Sequence, residues 1–302
     1  MEEKTKEQRH EEYLQKIPEF VLMDDTFMNA CFNEQPALVQ SVLRVIMDKP
    51  DLIVKSSQIQ KVLKNLHGHS VTLDIDATDN NNTKYGIEFQ NDNEGANPKR
   101  ARYISSMVDG NALDPSEDYA NLPESYVIFV TKNDVLNIGQ RIYHIHRTIE
   151  GTDVVFKDQS HIIYVNGSIQ DDTPLGRLMH DFHCKKAEDM YNKDLAERVN
   201  MLKNTEGGKQ YMCKIMEGFV ENRNIEIAIK MLKLNEDSFE KIVKSNGYTS
   251  PKLCLKLLDQ MGVLVRQRKD TYYSMRTINK VPCKVITLEL NKKFIESEGN
   301  II

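Results

Sequence analysis

The stretch Ser70-Val-Thr-Leu-Asp-Ile-Asp-Ala77, followed by Asp79-Asn-Asn-Asn-Thr83 and Lys84-Tyr-Gly-Ile-Glu-Phe-Gln90, constrains the fold most. Apolar and polar residues alternate on both sides of the Asn run, as in half-buried strands. Asn and Asp tolerate left-handed backbone and cap their own amides, so the intervening residues read as a turn. The segment therefore predicts a β-hairpin. Strand side chains alternate between faces, so Asp74 and Asp76 are expected on one face of the first strand, and Glu88 and Gln90 on one face of the second. Leu73, Ile75, Ile87 and Phe89 would supply the apolar face.

Around this hairpin the pattern is mixed. Asp24-Asp25-Thr26 is a candidate helix cap, with Asp25 read first as a structural cap. Apolar residues at helical spacing then predict helices near 25–32 and 35–48. Residues 50–66 suggest a short strand or turn leading to Gln58–Leu66. Pro98–Asp109 reads as a helix carrying Lys99, Arg100, Arg102 and Tyr103. Ser125–Thr131 is an almost continuous apolar run, as expected of a strand buried on both faces. Arg141–Arg147 and His161–Val165 read as strands, and Leu175–Phe182 and Ala187–Lys203 as helices. Glu206-Gly-Gly208 is read as a break.

The C-terminal part changes character. Asn224–Lys233, Asp237–Lys244 and Pro251–Met261 read as short helices, the last with Pro in its first turn. Val263–Gln267, Thr271–Thr277 and Lys284–Leu290 read as strands around basic turns. This order is that of a winged helix, with Arg266, Arg268 and Lys269 in a basic wing able to contact phosphates; winged helices also dock proteins, and both partners stay open. The expected organisation is a polar segment 1–16, a main domain 17–220 and a winged-helix-like domain 221–302.

Composition bounds the function classes. The chain has 302 residues, is 40% hydrophobic and carries a net charge of −5. That acidity disfavours a wholly basic nucleic-acid binder but leaves room for a local basic surface. No apolar run approaches the ~18 residues of a membrane span, and the charged N-terminus lacks a signal-peptide core. A cytoplasmic protein without membrane association is expected. The five cysteines are scattered, odd in number and without metal-binding spacing, so they read as reduced thiols. The histidines 67, 69, 144, 146, 180 and 183 define no four-ligand site, and His183-Cys184 lacks a second pair.

The acidic hairpin face carries the chemical signal. Two carboxylates and an amide on adjacent strands suit an oxygen-ligated ion such as magnesium. Such an ion polarises a phosphate oxygen and lowers the pKa of water. The same pattern also describes a solvated polar face of a half-exposed sheet, and the residues by themselves leave both readings open.

The stretch LDIDATDNNNTKYGIEFQ resembles the core of the PD-(D/E)XK nuclease-family transposases, the recombination-promoting nuclease group. Further resemblances lie in Asp24-Asp25-Thr26-Phe27, in Gln60 before the hairpin, and in Arg100-Ala-Arg-Tyr103 after it. LPESYVIFVTKND, IYHIHRTIE, HIIYVNG and MHDFHCKKAEDMYNK also resemble the family. The resemblance covers roughly residues 20–220. It implies an α/β fold with a restriction-endonuclease-like mixed sheet flanked by helices. It also implies a DNA endonuclease using Mg2+, with Mn2+ as a substitute, and linked to transposition or recombination. Asp74 and Glu88 would be the metal ligands, and Gln90 would stand where the wider family has lysine. Asp25 and Gln60 would support the site. Asp76 reads either as a third acid or as an exposed side chain, and Arg100 and Arg102 either as DNA contacts or as a solvated helix face. Met28 stands where many relatives carry lysine. Cutting both strands with one site per chain would suit a homodimer. The alternative is an inactive nuclease fold that binds DNA or protein.

Overall fold

Asp79 closes the hairpin turn from inside. Its Oδ1 accepts the amides of Asn81 and Thr83 at 2.9 and 2.8 Å, and its Oδ2 accepts the Tyr85 hydroxyl at 3.0 Å. Asn82 takes the left-handed conformation, with φ of 65°, which Asn tolerates better than most residues. The strands so joined, β2 (Val71–Asp79) and β3 (Lys84–Gln90), pair antiparallel. The hairpin is thus formed by the residues that predict it.

The structure is a computed structural model that describes residues 6–65, 68–231, 273–278 and 281–286. Its contacts define one unit of Lys6–Met216 and a second containing the C-terminal residues from Glu217. In the first unit, six strands are ordered β1-β2-β3-β4-β6-β5. β1 spans Val54–Leu63, β4 Ser125–Thr131, β5 Ile142–Ile145 and β6 Ser160–Asn166. β1, β2 and β3 run as an antiparallel meander, whereas β3, β4 and β6 are parallel and β5 returns antiparallel. The sheet is therefore mixed, as the family resemblance implies. β4 is buried along its whole length, which accounts for its unbroken apolar run.

Helices cover both faces. α1 (Lys6–Lys16), α2 (Asp25–Phe32), α3 (Pro36–Ile46), α5 (Pro174–His183), α6 (Lys193–Asn204) and the start of α7 (Glu206–Met231) enclose the larger core. α4 (Pro98–Gly110) covers the other face, packing Ala101, Ile104 and Val108 against Leu73, Val127 and Phe129. α1 enters the core through buried Tyr13. Lys203, though charged, is buried. Its Nζ donates to the carbonyls of Pro18, Phe20 and Lys185 and lies 5.0 Å from the Phe27 ring centre.

Several sequence expectations are corrected. Residues 54–63 form one long strand rather than a short one; β1 is an edge strand with alternating exposed polar residues, which dilutes its apolar signal. Ala187–Lys203 is not one helix: a short 3-10 turn at Ala187–Asp189 precedes α6, whose N-terminus is capped by Asn192 Oδ1 accepting the Leu195 amide. Glu206-Gly-Gly208 is the first turn of α7, not a break. Gly208 serves close approach there, since a Cβ would lie 2.0 Å from the Met201 carbonyl oxygen.

In the second unit the described elements are the remainder of α7, through Met231, and an antiparallel hairpin, β7 (Tyr273–Ile278) and β8 (Val281–Ile286). The described part of the hairpin's second strand begins at Val281, three residues before the expected Lys284. The expected helices at Asp237–Lys244 and Pro251–Met261, the strand at Val263–Gln267, and Arg266, Arg268 and Lys269 lie outside the described residues. Among the described residues, a winged helix is not established.

Candidate active site at the β2–β3 edge

The alternation on β2 slips by one residue at Asp74. Val71 and Leu73 pack with the α4-side core, whereas Ile75 and Ala77 pack with the opposite core. In an unbroken strand these four residues would share one face. The neighbouring strand slips at the same place. Ile59 packs with one core and Leu63 with the other, and between them Gln60 has a φ of 49°. The paired β2–β3 register runs only as far as Ile75 opposite Ile87. Beyond it, side chains of Asp74 and Glu88 take over the hydrogen bonding.

Asp74 Oδ2 accepts the Phe89 amide at 2.9 Å, and Glu88 Oε1 accepts the Asp74 amide at 3.3 Å. Asp74 Oδ1 accepts the Gln60 amide group at 3.3 Å. Glu88 Oε2 accepts Arg100 Nη2 at 2.8 Å and Gln90 Nε2 at 3.4 Å. Each carboxylate is thus oriented by the strand carrying the other. Burial raises the pKa of both carboxyl groups, and each is raised further by neighbouring acids, Asp74 and Asp25 for Glu88 and Asp25 for Asp74. Arg100 opposes both shifts without cancelling them. Two close, poorly hydrated carboxylates cannot both ionise cheaply without added positive charge.

Asp25 is the first residue of α2 and lines the same cleft of about 900 Å3 as Asp74, Gln90 and Arg100. It does not cap the helix. Asp24 holds the cap position, and its Oδ2 accepts the Val21 amide instead. The start of α2 is tied to the end of β3 by Asn91, which donates to the Met23 carbonyl at 2.7 Å. Burial, then Asp24, raises the Asp25 carboxyl's pKa.

Other sequence candidates separate from this cluster. Asp76 does not line the cleft, and Lys61 and Lys84 are the positive charges acting on it. The slip at Asp74 removes the two aspartates from the shared face that alternation predicts. Gln60 touches Asp74 from outside the cleft. Arg102 is exposed and does not line the cleft, so α4 offers it Arg100. Met28 is fully buried in the larger core. Gly95 is a residue that the sequence reading overlooks: a Cβ there would lie 2.0 Å from Gln90 Oε1, and its carbonyl accepts Arg100 Nη1 at 2.8 Å. Its signal in the sequence is only a glycine in an Asn-rich loop.

A second group of donor atoms lies on α5. His180, Asp181 and Cys184 bring ligand atoms within 4.8 Å of one another, close enough to hold a metal ion. Cys184 is thus partnered by His180 and not by His183, whose Nδ1 bonds the Met179 carbonyl. Cys184 Sγ lies 3.3 and 3.6 Å from both ring nitrogens of His180, which puts it over the ring. Asp181 is fully buried, and its two oxygens accept the amides of Tyr191 and Asn192 at 2.8 and 2.7 Å. In this arrangement the aspartate clamps the turn leading into α6.

Residues 33–247 match the model of the PD-(D/E)XK nuclease family transposases. The chain belongs to that family. The match takes in the whole mixed sheet, both carboxylate-bearing strands and α4, and it begins after α2, so Asp25 lies outside it. No curated protein and no solved structure matches the chain. As a member of the PD-(D/E)XK nuclease-family transposases, the chain carries a nuclease-type fold and has donor groups able to hold a metal ion. No helix among the described residues is long and apolar enough to cross a membrane.

Proposed function

We propose that the protein is a metal-dependent DNA endonuclease that hydrolyses phosphodiester bonds at the Asp74–Glu88 cleft. The observation that carries the reading is the placement of these two acids. They orient one another across adjacent strands; Asp74 lines a cleft with a third acid, Asp25, and Glu88 is buried against Asp74 and the cleft residues Gln90 and Arg100. The donor set fits a hard divalent cation, because it consists of carboxylate oxygens; Gln90 stands beside it, its amide nitrogen donating to Glu88 and its oxygen accepting from Arg100. The raised carboxyl groups support the same fit, since a bound cation would relieve their mutual repulsion. Mg2+ is the expected ion, with Mn2+ able to replace it, and it would supply charge that polarises a phosphate oxygen and eases deprotonation of the attacking water.

The chain's own residues would do the rest. Asp74 and Glu88 would hold the ion, each kept in place by the other's strand. Gln90 can orient a water by hydrogen bonds, donating or accepting, but supplies no charge. Arg100 is the cleft's cation and can grip a phosphate through its planar fork. Association with transposition or recombination, action in the cytoplasm and a homodimer for double-strand cutting extend this reading. DNA contacts by Arg266, Arg268 and Lys269 belong to the same extension.

Plasmid cleavage by the purified protein tests the reading, with Mg2+, Mn2+ or chelator, beside Asp74→Ala and Glu88→Ala. Metal-dependent cutting that either substitution abolishes is the expected result. A folded protein that binds DNA yet cuts in neither metal would make it a binding module on a nuclease fold.

A further inference from the structure

A guanidinium recruited only for phosphate would be expected to keep its donors free for the cleft. Arg100 lines the cleft but turns its donors onto protein acceptors. Its Nη2 lies 2.8 Å from Oε2 of Glu88, a side chain with 1% of its surface exposed, while Nη1 is held by the Gly95 carbonyl at 2.8 Å. Its backbone is fixed as well: the Arg100 amide donates to Asn97 Oδ1, which caps α4 ahead of Pro98. Arg100 thus places its charge against the carboxylate most in need of one. Any divalent ion held by Asp74 and Glu88 would compete for that carboxylate. Lysine can lose its charge by deprotonation, but arginine cannot, so the guanidinium has to share the site or leave it.

The surroundings allow it to leave. The Arg100 side chain is 40% exposed. It lines the active-site cleft on one side and, on the other, a groove formed with His69, Lys99 and Tyr103. We infer that Arg100 is the resident counter-cation of the Asp74–Glu88 pair, that a divalent metal ion displaces its guanidinium from Glu88, and that the freed side chain then grips the phosphodiester. This inference rests on the nuclease reading above. It makes Arg100 a metal-gated substrate contact: without metal it neutralises the acids, and with metal it becomes available to the DNA.

The two roles have opposite signatures on substitution. Mg2+ and Ca2+ are titrated calorimetrically into the full-length protein, Arg100→Gln, Arg100→Lys and Glu88→Gln. The titrations are run at pH 8.5, where protons compete less for the carboxylates, and thermal melts verify folding. Removing a competing charge at a half-exposed site should tighten metal binding by about tenfold. Binding of a short DNA duplex in Ca2+ should weaken in the same Arg100→Gln protein. Arg100→Lys keeps the charge and should stay near wild type in metal affinity. Metal binding by the wild type that Glu88→Gln abolishes but Arg100→Gln leaves unchanged or weakens would overturn this inference alone. No metal binding by the folded wild type would remove the nuclease reading and the inference together.

Discussion

Glu88→Gln should stabilise the metal-free protein at alkaline pH while abolishing its response to metal. Burial, then Asp74, pushes the Glu88 carboxyl up to about 8, and burial raises Asp74 to about 6. In the unfolded chain both lie near 4. The folded state therefore binds more protons than the unfolded one between about pH 4 and 8, so stability falls as pH rises through that window. Each pH unit over which one extra proton is held costs about 1.4 kcal/mol, but Arg100 and water in the cleft offset part of this. A net gain of about 1–3 kcal/mol for the amide at pH 8 is a reasonable scale. For a unit of this size that corresponds to roughly 2–12 °C in Tm. At pH 5 Glu88 is protonated, and the two proteins should melt together. Thermal melts in chelator from pH 5 to 8.5 measure the difference, which isolates this site from other titrating groups. Adding Mg2+ should raise the Tm of the wild type and not of the variant. A variant less stable than wild type by the same amount at every pH would refute the claim that the acids are held under electrostatic strain.

Gly95→Ala pushes a methyl group into Gln90 Oε1; because that atom ends a flexible side chain, cleavage should slow at least about tenfold while stability changes by less than about 1 kcal/mol, a split read by pairing plasmid assays with melts. Asp76→Asn should leave metal affinity within about twofold of wild type, since Asp76 lies off the cleft beside Lys61 and Lys84; a calorimetric loss beyond tenfold would return it to the site. Lys203→Met strips three carbonyls of their donor and should cost about 2–4 kcal/mol in urea unfolding without altering the metal-binding constant. Asp181→Ala removes the acceptor for the Tyr191 and Asn192 amides and should cost about 2–3 kcal/mol, whether or not zinc is present; stabilisation of the wild type by zinc would instead assign His180, Asp181 and Cys184 a metal role.

What could be read in the sequence follows from how local each signal is. The hairpin, α2, α3, α4 and β4 carry their own periodicity, caps and turn residues, and the structure forms all five where those signals lie. β1 was less visible because an edge strand shows solvent many of its side chains. The division of α6 from the preceding 3-10 turn was hidden because the clamp is Asp181, ten residues upstream of the turn it holds. At the site, Asp74, Glu88 and Gln90 were legible as a strand pattern, and Arg100 as a cation on the following helix. The joining of Asp25 to them was legible only through the family resemblance, because it involves a distant contact, Asn91 tying the end of β3 to the Met23 carbonyl. Nothing in the local pattern around Asp25 records that contact.

The slip at Asp74 explains why the strongest local signal also misled. Alternation predicts that Leu73 and Ile75 share an apolar face and that Asp74 and Asp76 share a polar one. A strand obeying that rule would spread its acids along a solvated surface, with no particular residue favoured. Because Leu73 turns toward α4 and Ile75 toward the opposite core, the chain changes phase at Asp74, and the ladder stops there. The freed Phe89 amide is then satisfied by the Asp74 carboxylate, and the Asp74 amide by Glu88. Backbone groups left open by the irregularity are what fix the two acids, in keeping with the rule that buried amides find partners. Gly86 permits the arrangement, since a Cβ there would press on both Leu73 methyl groups at 3.3 Å. The irregularity thus turns a repetitive polar strand into a single place where Glu88 meets only one of the three aspartates on β2, beside a cleft.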